Sequence, residues 1–199
     1  MKKTTKALAL VLCAMLLVVG SVMGTLAYLT SQDDVTNTFT VGNVTITMDE
    51  ADVDAYGVKL YKVDAEGNTT SELADRVDSN EYKLIPGHTY VKDPTIHVGE
   101  NSESCWLFVK IENGLVSNGT INWPSESKWV NVEGDFWAYT EAVDADADVV
   151  VFNSFTFANV DPNSYGNAVI KVTAHAIQKD SFSDYTAAWT ALKTELSNE

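Results

Sequence analysis

The sequence predicts an all-β protein: an antiparallel β-sandwich with a short C-terminal helix, behind an N-terminal export signal. Three observations carry that expectation. Eight or nine short segments rich in β-branched and aromatic residues follow residue 43. Turn signals separate them, among them Pro86-Gly87, Asn113-Gly114, Asn118-Gly119 and Asp161-Pro162-Asn163. No regular alternation of strand and helix patterns occurs, which sets aside a parallel α/β fold. Hydrophobic residues make up 45% of the 199 and charged residues 21%, the balance of a folded chain. The 28 acidic side chains outnumber the 13 basic ones for a net charge of -15, and such a surface repels nucleic-acid phosphates.

The N-terminus is built differently from the rest. Lys2, Lys3 and Lys6 precede 18 uncharged, mostly apolar residues from Ala7 to Gly24. Thr25 and Ala27 then form a small-x-small exit, so a signal peptidase would cut before Tyr28. An uncleaved membrane anchor is the alternative, because 18 residues lie at the lower limit for a span. Leu12 stands where lipoprotein processing at Cys13 needs a small residue, which sets that route aside. Removing residues 1–27 takes three lysines and no acid. It leaves 172 residues with 10 basic against 28 acidic side chains, a charge of -18. Cys105 is then the one cysteine left, so no intramolecular disulfide can form. Its apolar setting, Cys105-Trp106-Leu107-Phe108-Val109, predicts a buried, inert thiol.

The elements follow in order. Thr30 to Asp34 is polar. Val35, Phe39 and Val41 then alternate on odd positions, and Val44, Ile46 and Met48 on even ones. The change of phase at Gly42-Asn43 marks a bend or hinge, so a short strand segment at 28–42 is separable from a sandwich domain at 43–199. Strand patterns cover 58–63, 82–85, 90–98, 105–112, 128–132, 136–140, 149–157 and 168–177. Ser71 to Val77 suggests one or two helical turns. Tyr185, Trp189, Leu192 and Leu196 sit at helical spacing within a helix expected at 183–197, with Ser183 or Asp184 as its cap.

The residues offer little to catalysis, and the chain reads as a non-enzyme with no cofactor. His88, His97 and His175 are scattered and form no paired metal-ligand motif. Neither a nucleophile elbow nor a phosphate-cradling glycine loop occurs. Asp144, Asp146 and Asp148 open like a calcium loop, but Val149 and Phe155 stand where the glycine and closing glutamate belong. A solvated hairpin is the expectation there, with weak calcium binding left open. Trp123 lies in a loop and is the tryptophan available to a glycan or protein partner. Lys92, Lys110 and Lys171 fall on strand patterns and are available to a Lys–Asn isopeptide crosslink of the kind some cell-surface β-domains form. Spacing pairs none of them with an asparagine.

Three stretches together carry a resemblance. Gly24 to Thr30, followed by Asn37 to Val44, resembles the N-terminus of Gram-positive proteins cut by the SipW-type signal peptidase. Leu84 to Pro94 is similar to the Pro-Gly…Lys-Asp element of the TasA/camelysin group. Ala174 to Phe182, then Ala187-Ala188-Trp189, resembles the C-terminal strand and helix of the BsaA-type biofilm matrix proteins of clostridia. The resemblance implies a jelly-roll sandwich, secreted to the extracellular matrix or cell surface and assembled into biofilm fibres. In such fibres the mature N-terminal segment of one subunit completes a sheet of the next. Here Leu29, Val35, Phe39 and Val41 would be the inserted side chains and Gly42-Asn43 the hinge. The implied partners are further copies of this chain, head to tail, and a SipW-type signal peptidase, with other matrix subunits left open. Contact with a membrane would come only through the uncleaved signal peptide. A secreted metalloendopeptidase, after the camelysin label, and a monomeric adhesin are the alternatives. So is the donor segment folding back onto its own sheet.

Overall fold

The computed structural model describes residues 30–33, 44–165 and 168–197. It is mostly β, in several antiparallel sheets, with a short helix at the C-terminal end. One sheet holds β1 (Thr30–Asp33), β13 (Ile170–Gln178), β7 (Cys105–Asn113), β10 (Phe136–Tyr139) and β9 (Trp129–Glu133), in that order across the sheet. Two three-stranded sheets accompany it, the first packed on its inner face. The first orders β11 (Asp148–Val150), β6 (Thr95–Val98) and β2 (Ile46–Asp49). The second orders β5 (Thr89–Val91), β12 (Ser154–Phe157) and β8 (Gly119–Asn122). Val151 N–H donates to Pro94 C=O at 2.8 Å across the join, so the two behave as one bent layer. A small hairpin of β3 (Tyr61–Val63) and β4 (Thr69–Leu73) stands apart.

Residue alternation explains the layering. On β7, Cys105, Leu107, Val109 and Ile111 face one way and pack with Val44, Ile46, Met48, Ile96, Val98, Val149 and Val151 in a sandwich-like core. Trp106 and Phe108 face the other way, onto helix α1 (Tyr185–Leu196) through Ala188 and Leu192. A strand buried on both faces reads as a continuous apolar run, which is the pattern at 105–109. Asp184 caps the helix, its Oδ1 accepting from Thr186 N–H at 3.0 Å and Ala187 N–H at 2.9 Å. Tyr185, Trp189 and Leu196 pack partly buried on the same side. A third cluster, Tyr90, Leu115, Phe155 and Phe157, closes the end of the bent layer.

Several expected elements take another form. Residues 71–77 contain the end of β4 and a bridge from Val77 to Glu50 in place of helical turns. The cause is local: Asp64 Oδ1 accepts from Glu66 N–H and Asn68 N–H, and Gly67 turns at φ +85°, which closes a hairpin back onto β3. Residues 82–85 lie outside any strand. The pattern at 90–98 divides into β5 and β6 at Pro94, which has no N–H to give a ladder. The pattern at 149–157 divides beside it, where consecutive Val151 and Phe152 are both fully buried. The acidic Asp144–Asp148 stretch is no hairpin between neighbours, because it carries the chain from β10 in one sheet to β11 in the other.

Candidate functional site

The outer edge of β13 is the first candidate. β13 is antiparallel to β7 over its whole length, from Ile170↔Asn113 to Gln178↔Cys105, with six consecutive buried residues from Val172 to Ile177. On its other side β1 pairs Thr30↔Ile177, Ser31↔Ala176, Gln32↔His175 and Asp33↔Ala174. The stretch expected to be a polar lead therefore forms an edge strand. Period-two reading misses it because the sequence Thr-Ser-Gln-Asp has no apolar residue to mark a face. Cleavage positions Thr25, Ala27 and Tyr28, insertion residues Leu29, Val35, Phe39 and Val41, and hinge residues Gly42 and Asn43 lie outside the described residues.

A second candidate lies where β5 passes into β6 at Lys92-Asp93-Pro94, within the stretch that carries the TasA/camelysin resemblance. Asp93 Oδ1 accepts from Ala51 N–H at 2.8 Å and its Oδ2 from Lys59 Nζ at 3.0 Å. Arg76 donates to Asp93 C=O at 2.9 Å and to the Asp49 carboxylate. Lys92 Nζ donates to Glu50 Oε2 at 2.5 Å, and Asn80 Nδ2 donates to Glu50 Oε1 at 2.9 Å. Glu50 is 3% exposed. Burial, then the nearby Glu50 and Asp93 charges, push the Tyr82 hydroxyl pKa up. The sequence held a signal for Glu50: it continues the even phase of Val44, Ile46 and Met48, so an acid occupies an inward position. Asn80 carried none, since it lies in an irregular stretch.

His97 ties three strands together. Its Nε2 meets Asp49 Oδ1 on β2 at 2.9 Å and its Nδ1 meets Asp148 Oδ1 on β11 at 2.6 Å. Burial disfavours the imidazolium, but the hydrogen bonds and charges of Asp49 and Asp148 outweigh it and hold the pKa above the ordinary 6.5. A raised folded-state pKa gives stability that is complete below the unfolded value and lost as pH rises through the folded one. Wild type should therefore lose Tm relative to His97→Gln as pH rises above the ordinary 6.5 and through the higher folded-state value. Thermal melts across that range check this, and parallel profiles for the two proteins would contradict it.

The remaining candidates settle into packing. Cys105 is buried, and burial followed by the Asp144 charge pushes its thiol pKa up to about 12, so it is inert. Trp123 lies tilted against Trp137 at 4.3 Å and meets Phe152 edge-on at 6.2 Å between ring centres, so its loop holds it half-buried. His88 contacts Tyr56 C=O at 2.9 Å through Nε2, and His175 is buried in β13. Among the described residues no group of three or more His, Cys, Asp or Glu side chains is arranged to hold a metal ion. None of their helices is long and apolar enough to cross a membrane. No family model, curated protein or solved structure matches the chain.

Proposed function

We propose that this chain is a secreted structural subunit of extracellular matrix fibres, a jelly-roll-like sandwich that polymerises head to tail by N-terminal strand donation. The observation that carries the reading is that the β13 edge accepts a strand: in the single chain its own four-residue β1 folds back and fills it. β1 begins two residues after the expected cleavage site at Tyr28 and is joined to the sandwich domain through residues 34–43. A strand that enters a sheet from such a segment can be exchanged for its equivalent from a neighbour, because the main-chain ladder is the same either way. Leu29, Val35, Phe39 and Val41 supply the apolar side chains that make the intermolecular version favourable, and Gly42-Asn43 the change of direction. The contact joins two different surfaces and does not close, so it propagates. Subunits of charge -18 repel one another, which assigns the cohesion to ladder bonds and apolar insertion. Signal-peptide removal by a SipW-type peptidase would free the donor segment and start assembly.

Electron microscopy of the mature chain from Tyr28 and of a chain starting at Asn43 tests the reading. Filaments are expected from the first and none from the second, with both folded by circular dichroism. Equal filament yield from the two would overturn strand donation.

A further inference from the structure

We propose that Lys92 and Asn80 become joined by an intramolecular isopeptide bond, with Glu50 as the acid–base that transfers the proton. Two side chains from separate parts of the chain, Lys92 and Asn80, meet on the Glu50 carboxylate. Lys92 Nζ donates to Glu50 Oε2 at 2.5 Å and Asn80 Nδ2 donates to Glu50 Oε1 at 2.9 Å, so nucleophile and leaving group face the same proton carrier. The Asn80 amide is oriented as the reaction requires. Its Oδ1 accepts from Val53 N–H at 2.9 Å, and its Nδ2 also donates to Ala51 C=O at 2.9 Å, which fixes which end is carbonyl and which is nitrogen. The Val53 N–H polarises the amide and meets the oxygen on which charge develops, the part of an oxyanion donor.

Lys92 and Glu50 are largely buried, and Asn80 is half-buried. The Lys92 side chain is 12% exposed and that of Glu50 4%, beside a cavity of about 200 Å³ whose lining includes Met48, Pro94 and Ile170. Burial of the pair holds the reactants in one arrangement. Glu50 takes a proton from Lys92 Nζ, the freed amine attacks Asn80 Cγ, and the Nζ–Cγ bond forms. Glu50 gives that proton to Nδ2 and takes the second proton from Nζ, the Cγ–Nδ2 bond breaks and ammonia leaves, so that Glu50 ends protonated. Amine plus primary amide gives secondary amide plus ammonia, with no oxidant or co-reactant. The bond would staple the irregular 80–85 stretch to the junction of β5 and β6.

The inference stands apart from the fibre reading, since it concerns a single folded chain. Intact-mass spectrometry of the purified folded mature protein reads it. Wild type is expected to be lighter than its sequence mass by one ammonia, and a tryptic digest to contain one branched peptide joining Asn80 to Lys92. Glu50→Gln and Lys92→Arg should keep the full mass, and the conservative arginine retains the charge if the glutamine variant fails to fold. Full mass in the folded wild-type protein overturns the proposal. So does an ammonia loss that persists in Lys92→Arg, or a branched peptide that joins other residues.

Discussion

Phe108→Ala is expected to cost about 3–5 kcal/mol, a large share of the stability of a domain this size. Phe108 is fully buried at the centre of β7, where it pairs in register with His175 on β13 and Ala138 on β10. Its ring lies 5.8 Å from Trp189 and packs with Ala188 and Leu192, so it connects the sheet to α1. Truncation removes the apolar area and leaves a cavity that strands on both sides, fixed by their ladders, cannot collapse to fill. Urea unfolding should show a lower midpoint, and amide exchange in α1 should speed up because the helix loses its main contact with the sheet. A loss under about 1 kcal/mol would mean that the helix does not depend on this face.

Gly57→Ala should also be strongly destabilising, and the contrast with Gly67→Ala isolates the reason. Both glycines adopt the left-handed region, at φ +77° and +85°. A Cβ on Gly67 meets nothing within 4 Å, so alanine there carries only the backbone penalty, about 1–2 kcal/mol. At Gly57 the added carbon would sit 2.8 Å from Tyr90 Cα and 3.0 Å from Val91 N, both main-chain atoms of β5. Tyr90 cannot yield easily. It is fully buried, its ring stacks on Phe155 at 4.9 Å, and its hydroxyl accepts from Ile85 N–H at 2.6 Å and donates to Lys83 C=O at 2.8 Å. The expected loss is at least about twice that of Gly67→Ala. Equal losses in paired melts would remove the steric part of this account.

How far the fold was legible depends on how local its causes are. The even phase of Val44, Ile46 and Met48 marked the inward face of β2, and the helical spacing of Tyr185, Trp189, Leu192 and Leu196 marked the face α1 lays on the sheet. The uniform run at 105–109 marked a strand buried on both sides. Reading failed where a long-range partner overrides the local pattern. Thr30–Asp33 is a strand because β13 offers an edge, and Thr69–Leu73 because the Asp64 turn folds it onto β3. Trp123 is held by Trp137 and Phe152, which the sequence leaves remote from it.

The site divides the same way. Lys92 was expected on a strand and lies instead just past β5, and Glu50 was legible as an acid in an inward phase, yet nothing local joined either to Asn80. Those contacts span sequence separations of 42 and 30 residues. By itself the sequence determined a mostly β, acidic chain with one C-terminal amphipathic helix, and which face of each regular element is apolar. Tertiary structure alone decided which strand lies beside which, and that Lys92, Glu50 and Asn80 share one hydrogen-bonded cluster. Burial of apolar surface is non-directional, so it selects faces and leaves partners open. Ladder hydrogen bonds and buried polar groups are directional, and they select partners only once the loops have brought distant residues together.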